Sequence, residues 1–401
     1  MLKIEPLPSR PTGTTPVGSP TGSNLPVGTL LTVEAVRDST SAQLLLMLAG
    51  RKFALRPGGA APDVQPGDKL TARVTRTEPE LELTLVSRAD EVASALRREL
   101  PQQASPLRLL ANLMFLATRP APVATGGDPA APEQAPLARL PAAAAEAVEA
   151  TVRAVPEARQ LATPEGLEKA VLASGVRLER LLATPPRDLA AQVGNDWKGA
   201  LLKLRDVLVK SGAQRVAAAP DTSDTPLPMR YGELNAMSAD PPSLSRATPP
   251  DAALGQLVQQ VQESIARVTC NQLASLDPRQ QAAFPLLLEI PYRQGTQPGL
   301  LRVRVDREAH ATTASPVWSV EFAVDLGASG PLRGRVTLAE GRVSVTLQPE
   351  QSSLARSLDA RFEELRSSLT EAGLPVGKLS CTRSDPVNLS QTGTWLVNLR
   401  A

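Results

Sequence analysis

From residue 284 to residue 386 the apolar positions first repeat every two residues and then every three or four, which is how several strands followed by a helix read in sequence. Leu286, Leu288 and Ile290 share one parity, and Leu301, Val303 and Val305 alternate with Arg302, Arg304 and Asp306. In the third run Trp318, Val320, Phe322 and Val324 face one way while Ser319, Glu321, Ala323 and Asp325 face the other, as a strand between a core and water requires. Two more runs, Leu332/Val336/Leu338 and Val343/Val345/Leu347, are joined by Ala339-Glu340-Gly341. That connection is short and polar and its glycine is free to take positive φ, so the two runs predict a hairpin. Beyond Pro349, Leu354, Leu358, Phe362, Leu365 and Leu369 fall on one stripe of a helix, and Gly373 is placed to end it in the left-handed conformation. Gly377 to Thr382 then returns to the sheet edge. The pattern predicts an α+β domain over 284–386, an antiparallel sheet with one covering helix, and a tail over 387–401.

Within this domain Pro331-Leu332-Arg333-Gly334-Arg335-Val336, Gly341-Arg342-Val343-Ser344-Val345 and the run from Leu365 to Leu374 resemble the C-terminal domain of flagellar hook-length control proteins, the FliK family. Leu332, Gly334, Val336, Val345, Leu365, Arg366, Leu369, Gly373 and Leu374 are the positions that match. Together they give a glycine-containing strand, a second strand after a Gly turn, a helix bearing Leu-Arg-x-x-Leu, then Gly-Leu and a last strand. One position departs from the family's pattern: Arg333 stands between Leu332 and Gly334, where the family usually has leucine directly before the glycine. The resemblance spans about a quarter of the chain. It implies export through the flagellar type III apparatus during hook assembly, with an extended N-terminal portion that reports length. It also implies contact between the C-terminal domain and the cytoplasmic part of an export-gate component, which switches substrate choice from hook to filament proteins. Hook and hook-cap proteins are further implied partners.

The rest of the chain reads as separate modules. Residues 1–27 are rich in proline, with six in the first 26 positions, and predict an unstructured N-terminus. Composition alone describes an inert tail as well as an export signal. Over 28–87 the runs Thr29–Val36, Gln43–Leu48, Lys52–Leu55, Lys69–Thr75 and Glu80–Val86 predict five short strands, with turns at Ala49-Gly50 and Pro66-Gly67-Asp68. Five strands in this length suggest a small all-β barrel of the OB or SH3-like sort. Phe53 is its one aromatic residue, so a stacking platform for single-stranded nucleic acid is missing, and a structural or protein-contact role is the better reading.

Residues 88–216 predict a helical region with a Pro/Ala-rich break at 119–136. Its helices are expected over Ala89–Phe115, Ala142–Val155, from Pro164, capped by Thr163, through Leu182, and over Arg187–Lys210 with Leu189, Val193, Trp197, Leu201, Leu204 and Leu208 on one stripe. Seven prolines between residues 217 and 250 predict a disordered linker. An amphipathic helix over 251–275, with Leu254, Leu257, Val261, Ile265 and Val268 in phase, either packs against the C-terminal domain or meets a partner in a groove, packing being favoured.

Composition narrows the function classes. The chain has 401 residues, 38 prolines, ten aromatics and a formal net charge of +2, which describes several modules with loose joints and gives no electrostatic reason for a nucleic-acid partner or for membrane insertion. No apolar run suits a signal peptide or a spanning helix, so the reading places the protein in the cytoplasm, exported without a cleaved signal peptide. Cys270 and Cys381 read as a reduced pair of small hydrophobes. The single histidine, His310, has no cysteine or paired acid near it in sequence, and HExxH, CxxC, GxSxG and GxxxxGK[ST] patterns do not occur. Glu80 with Glu82, and Glu363 with Glu364, read as solubilising faces. The expectation is a non-enzyme with no cofactor. Its partner-facing positions would be the outward arginines Arg302, Arg304, Arg333, Arg335 and Arg342, for which a solvated sheet face is an equally good explanation. Two other readings stay open: a cytosolic adaptor that shares the C-terminal fold without measuring length, and a nucleic-acid binder built on the barrel.

Overall fold

The structure is a computed structural model that describes residues 4–6, 28–37, 44–48, 51–55, 67–76, 82–86, 88–118, 136–185, 187–213, 234–245, 247–276, 286–308 and 316–382. His310, the 119–135 break and the 387–401 tail lie outside these residues. The chain divides into two compact units, Met1–Ser94 and Ala95–Ala401.

The first unit carries β1 (Ile4–Pro6), β2 (Leu30–Arg37), β3 (Leu44–Leu48), β4 (Arg51–Leu55), β5 (Lys69–Arg76) and β6 (Glu82–Val86). They pair in the order β1-β4-β3-β2-β5-β6, and β1 also meets β6. Val33, Ala35, Ala72 and Val74 are buried while Thr32, Glu34 and Arg73 are exposed, the period-two pattern expected of strands with one face inward. The chain between β2 and β5 is tied by the Gly67 amide donating to the Ala35 carbonyl at 2.7 Å, with Gly67 at φ +96°. Pairing by Ile4–Pro6 departs from the expectation that residues 1–27 contribute no structure.

Helix α1 (Arg88–Glu99) leads into the second unit, whose first part is helical: α2 (Pro106–Ala117), α3 (Ala142–Ala154), α4 (Ala158–Leu161), α5 (Pro164–Leu172), α6 (Leu178–Ala183), α7 (Leu189–Asn195), α8 (Trp197–Lys210) and α9 (Pro250–Ser275). Most of the expected stripe positions bury together. Leu109 and Leu113 of α2, Val148 of α3, Trp197, Leu201, Leu204 and Leu208 of α8, and Leu254, Leu257 and Val261 of α9 form one apolar cluster, whereas Leu189 and Val193 of α7 are half-buried and stand outside it.

Three helices expected to be continuous are broken, each at a residue that stabilises the break. Between α1 and α2, Ser105 caps the second helix by accepting from the Leu107 amide ahead of Pro106. The helix from Pro164 stops at Leu172 because Gly175 sits at φ +92°, a position where a Cβ would press on Lys198. Asp196 separates α7 from α8, its carboxylate accepting from the Gly199 amide at 2.9 Å as an N-cap. Periodicity passes over such breaks because the apolar stripe resumes in phase on the far side.

The second part is a sheet in the order β12-β11-β10-β9-β8-β7, built from β7 (Leu286–Gln294), β8 (Gln297–Glu308), β9 (Val317–Asp325), β10 (Pro331–Ala339), β11 (Arg342–Pro349) and β12 (Val376–Cys381). Strands β7 to β11 form an antiparallel meander, and β12 joins β11 in parallel after α10 (Ser352–Asp359) and α11 (Phe362–Glu371). The expected covering helix is thus two helices, with the break at Ala360–Arg361. The β10–β11 hairpin closes through Glu340 at φ +51° and Gly341 at φ +74°, the left-handed pair of a two-residue type I′ loop. Arg333 does not disturb the register: Leu332 pairs with Val324 and Gly334 with Phe322, so Arg333 occupies the opposite face. The ring of Phe322 lies where a Cβ on Gly334 would stand, which gives this signature glycine a packing reason.

The segment expected as linker is ordered in part. Leu234 and Leu244 are buried, the Asn235 carbonyl accepts from Arg302 at 2.8 Å, and the Leu244 amide donates to Asn112 at 3.0 Å. Residues 234–245 therefore run as a strap between the helical layer and the sheet. Proline-rich composition signals the absence of regular structure, which is not the same as the absence of contacts.

Candidate interaction surface

The sheet has two faces of different chemistry, and strand register assigns every side chain to one or the other. On the first face Leu332, Val343, Val345 and Leu347 are buried against Leu354, Leu358, Phe362, Leu369 and Leu379, so α10 and α11 cover its β10–β12 side. No residue of α10 or α11 is fully buried, and the stripe residues are half-covered. Of the family-signature positions, Leu332 and Val345 are buried, and Val336, Leu365 and Leu369 are half-buried. Arg366 is exposed beside Glu363, and Gly373 ends α11 at φ +75°. On the same face Trp318 and Leu338 stand opposite each other and are 36% and 37% exposed. The Arg307 guanidinium lies 5.4 Å from the Trp318 ring centroid, and Leu374 is exposed as well.

The second face is charged where the helical layer meets it. Glu289 on β7 is opposite Arg302 on β8, and α9 places Arg267 over the pair. Arg267 donates from Nε and Nη2 to the two Glu289 oxygens at 2.9 and 2.7 Å, and from Nη1 to Gln103 at 2.5 Å. Arg302 Nε donates to Glu289 at 3.1 Å. Arg267, Glu289 and Arg302 are 1%, 8% and 4% exposed as whole residues. Burial alone would raise the Glu289 carboxyl, but the two guanidiniums and their hydrogen bonds outweigh it and hold it down at about 2.

Two of the five arginines expected at a partner surface are therefore inside the unit. Arg302 is enclosed by Glu289 and the strap, and Arg333 is buried. Arg304 and Arg335 both pair with Glu321, Arg304 also with Asp306, and Arg335 remains largely open to solvent. Arg342 is exposed at the hairpin end. Strand parity assigned the face correctly, but it carries no information on what lies over that face.

The sequence held a signal for the buried cluster. Gln260, Ser264, Arg267 and Asn271 are buried and recur at spacings of four, three and four, a polar stripe about a quarter-turn around α9 from its apolar one. Glu289 is likewise the lone acid in Leu286-Leu287-Leu288-Glu289-Ile290-Pro291. A charge in an apolar strand and a polar stripe beside an apolar one indicate a helix buried on two sides.

Little here offers chemistry. Among the described residues no group of His, Cys, Asp and Glu could hold a metal ion, and no helix is long and apolar enough to cross a membrane. Both cysteines are free. Burial pushes the Cys270 thiol up to about 12, which keeps it unreactive. Asp196 is likewise pushed up by burial, to about 6, in spite of its bond to the Gly199 amide.

Residues 307–389 match the family model for flagellar hook-length control protein FliK. The match begins at the end of β8, takes in β9 to β12 with α10 and α11, and gives the chain a FliK-like C-terminal domain. The matched family is regulatory and non-enzymatic. Neither the curated proteins nor the solved structures contain a match to the chain.

Proposed function

We propose that this protein controls flagellar hook length, and that its C-terminal domain contacts the cytoplasmic part of the type III export gate to switch export from hook to filament proteins. The observation that carries this reading is the family match at 307–389, which coincides with the folded subdomain of β9 to β12, α10 and α11. In this reading the protein is made in the cytoplasm, passes through the flagellar channel without a cleaved signal, and catalyses nothing. The surface offered to the gate is the charged face of β10 and its hairpin end, carrying Arg335 and Arg342. A purified full chain titrated with the cytoplasmic part of the gate component should bind saturably, and Arg335→Glu with Arg342→Glu should weaken binding about tenfold, the loss expected for rim charges and their unfavourable replacement. Absence of binding by the full chain would overturn the gate contact.

The N-terminal strands, in this proposal, form a small OB or SH3-like barrel that meets protein and not nucleic acid. A titration of single-stranded oligonucleotide at low salt should be flat. One observation favours a second reading, an adaptor that does not measure length. The helices and strap are packed onto the sheet, whereas a length-reporting segment is expected to be extended. Hook lengths separate the two.

A further inference from the structure

We propose that the Glu289 cluster is an intramolecular latch, which holds the helical layer and the 234–245 strap over one face of the C-terminal sheet and opens without unfolding the sheet. The inference stands on the packing and does not depend on the flagellar reading.

Five segments converge on one carboxylate. Arg267 brings α9, and through Gln103 the turn ahead of α2; Arg302 brings β8, and through the Asn235 carbonyl the strap; Glu289 itself belongs to β7. The strap is fastened at both ends. Ser238 donates to Asp325 of β9 at 2.5 Å, while Asn112 of α2 donates to Ser243 and accepts from the Leu244 amide.

The chemistry of this seam differs from that of the cores on either side. The helical cluster, which takes in Leu244 of the strap, and the cluster beneath α10 and α11 are apolar. Between them the buried groups include Arg267, Asn271, Gln103, Glu289 and Arg302, with two positive charges on one negative. Buried ion pairs add little net stability over apolar packing, yet they demand one geometry, and interfaces that part and re-form are more polar than permanent ones. The cluster also lies outside the family match, which starts after Arg302. Closed, it withholds Arg302 and the Leu287 and Leu300 side chains from solvent; open, it exposes them.

Cys270 reports on the seam. It is fully buried on α9, three residues beyond Arg267 and on the same flank. In the full chain carrying Cys381→Ser, labelling of Cys270 by an aromatic disulfide reagent is followed against urea concentration. A latch predicts labelling through an opening whose urea dependence is less than half that of global unfolding measured by circular dichroism. Glu289→Gln should accelerate labelling in the absence of urea at least tenfold. The apolar triple variant Arg267→Met/Glu289→Leu/Arg302→Met seals the seam and should slow labelling at least tenfold, and it serves also if Glu289→Gln fails to fold. Labelling with the full urea dependence of global unfolding, or a triple variant labelled as fast as the parent, would overturn the proposal.

Discussion

At the scale of single residues, Glu289 and Asp196 are two buried carboxylates that respond to acid in opposite directions. Glu289 has a native pKa of about 2, below its ordinary 4.5, so the native state holds its charge more tightly than the unfolded chain does. Its contribution is complete above pH 4.5 and is lost as pH falls from there toward 2. Asp196 has a native pKa of about 6, above its ordinary 3.8, so the native state takes up its proton first and this group alone makes the fold more stable as pH falls from 6 to 3.8. Removing the Glu289 charge takes away the carboxylate that the buried Arg267 and Arg302 guanidiniums share, and Glu289→Gln should cost about 3–5 kcal/mol in chemical denaturation at pH 7. A change under 1 kcal/mol would mean that water reaches the cluster. Asp196→Asn keeps the cap and removes the charge, so its urea midpoint should rise at pH 7 and match the parent at pH 3.5, below the ordinary value of 3.8. Legibility was poorest at this scale. Arg302 and Arg342 both read as outward arginines, yet one is enclosed by Glu289 and the strap and the other is in water, and only tertiary packing distinguishes them.

At the scale of elements, the period-two runs between Leu286 and Leu347 gave five strands and their hairpin, because a sheet with at least one buried face writes its parity directly into the sequence. Helix ends were less legible. Ala360–Arg361 divides the expected C-terminal helix, Gly175 and Asp196 divide two others, and in each case the break depends on local backbone geometry that leaves the stripe in phase. Gly334 illustrates how a family signature residue acts through packing. Phe322 occupies the space above it, so Gly334→Val should force the ring off its site and lower stability by about 1–3 kcal/mol, read as a fall in melting temperature of the full chain. An unchanged melting temperature would show that the ring moves aside freely.

At the scale of the molecule, composition reads as several modules, and residues 1–94 and 95–401 form two compact units. It did not announce that the helical region, the strap and the sheet would belong to one of them. That union rests on long-range contacts such as Arg267 to Glu289 and Asn112 to Leu244, whose partners lie in segments that each look self-sufficient. The FliK-like match covers β9 to β12 with α10 and α11, and α1 to α9, the strap, β7 and most of β8 lie outside it.

The most direct test of the proposed role is the distribution of hook lengths, measured by electron microscopy in cells lacking the gene and in cells given back either the full chain or a chain ending at residue 306. Length control by this protein predicts hooks of uncontrolled length without filaments in the deletion, restored by the full chain and not by the truncated one. Hooks of normal length bearing filaments in the deletion would contradict it.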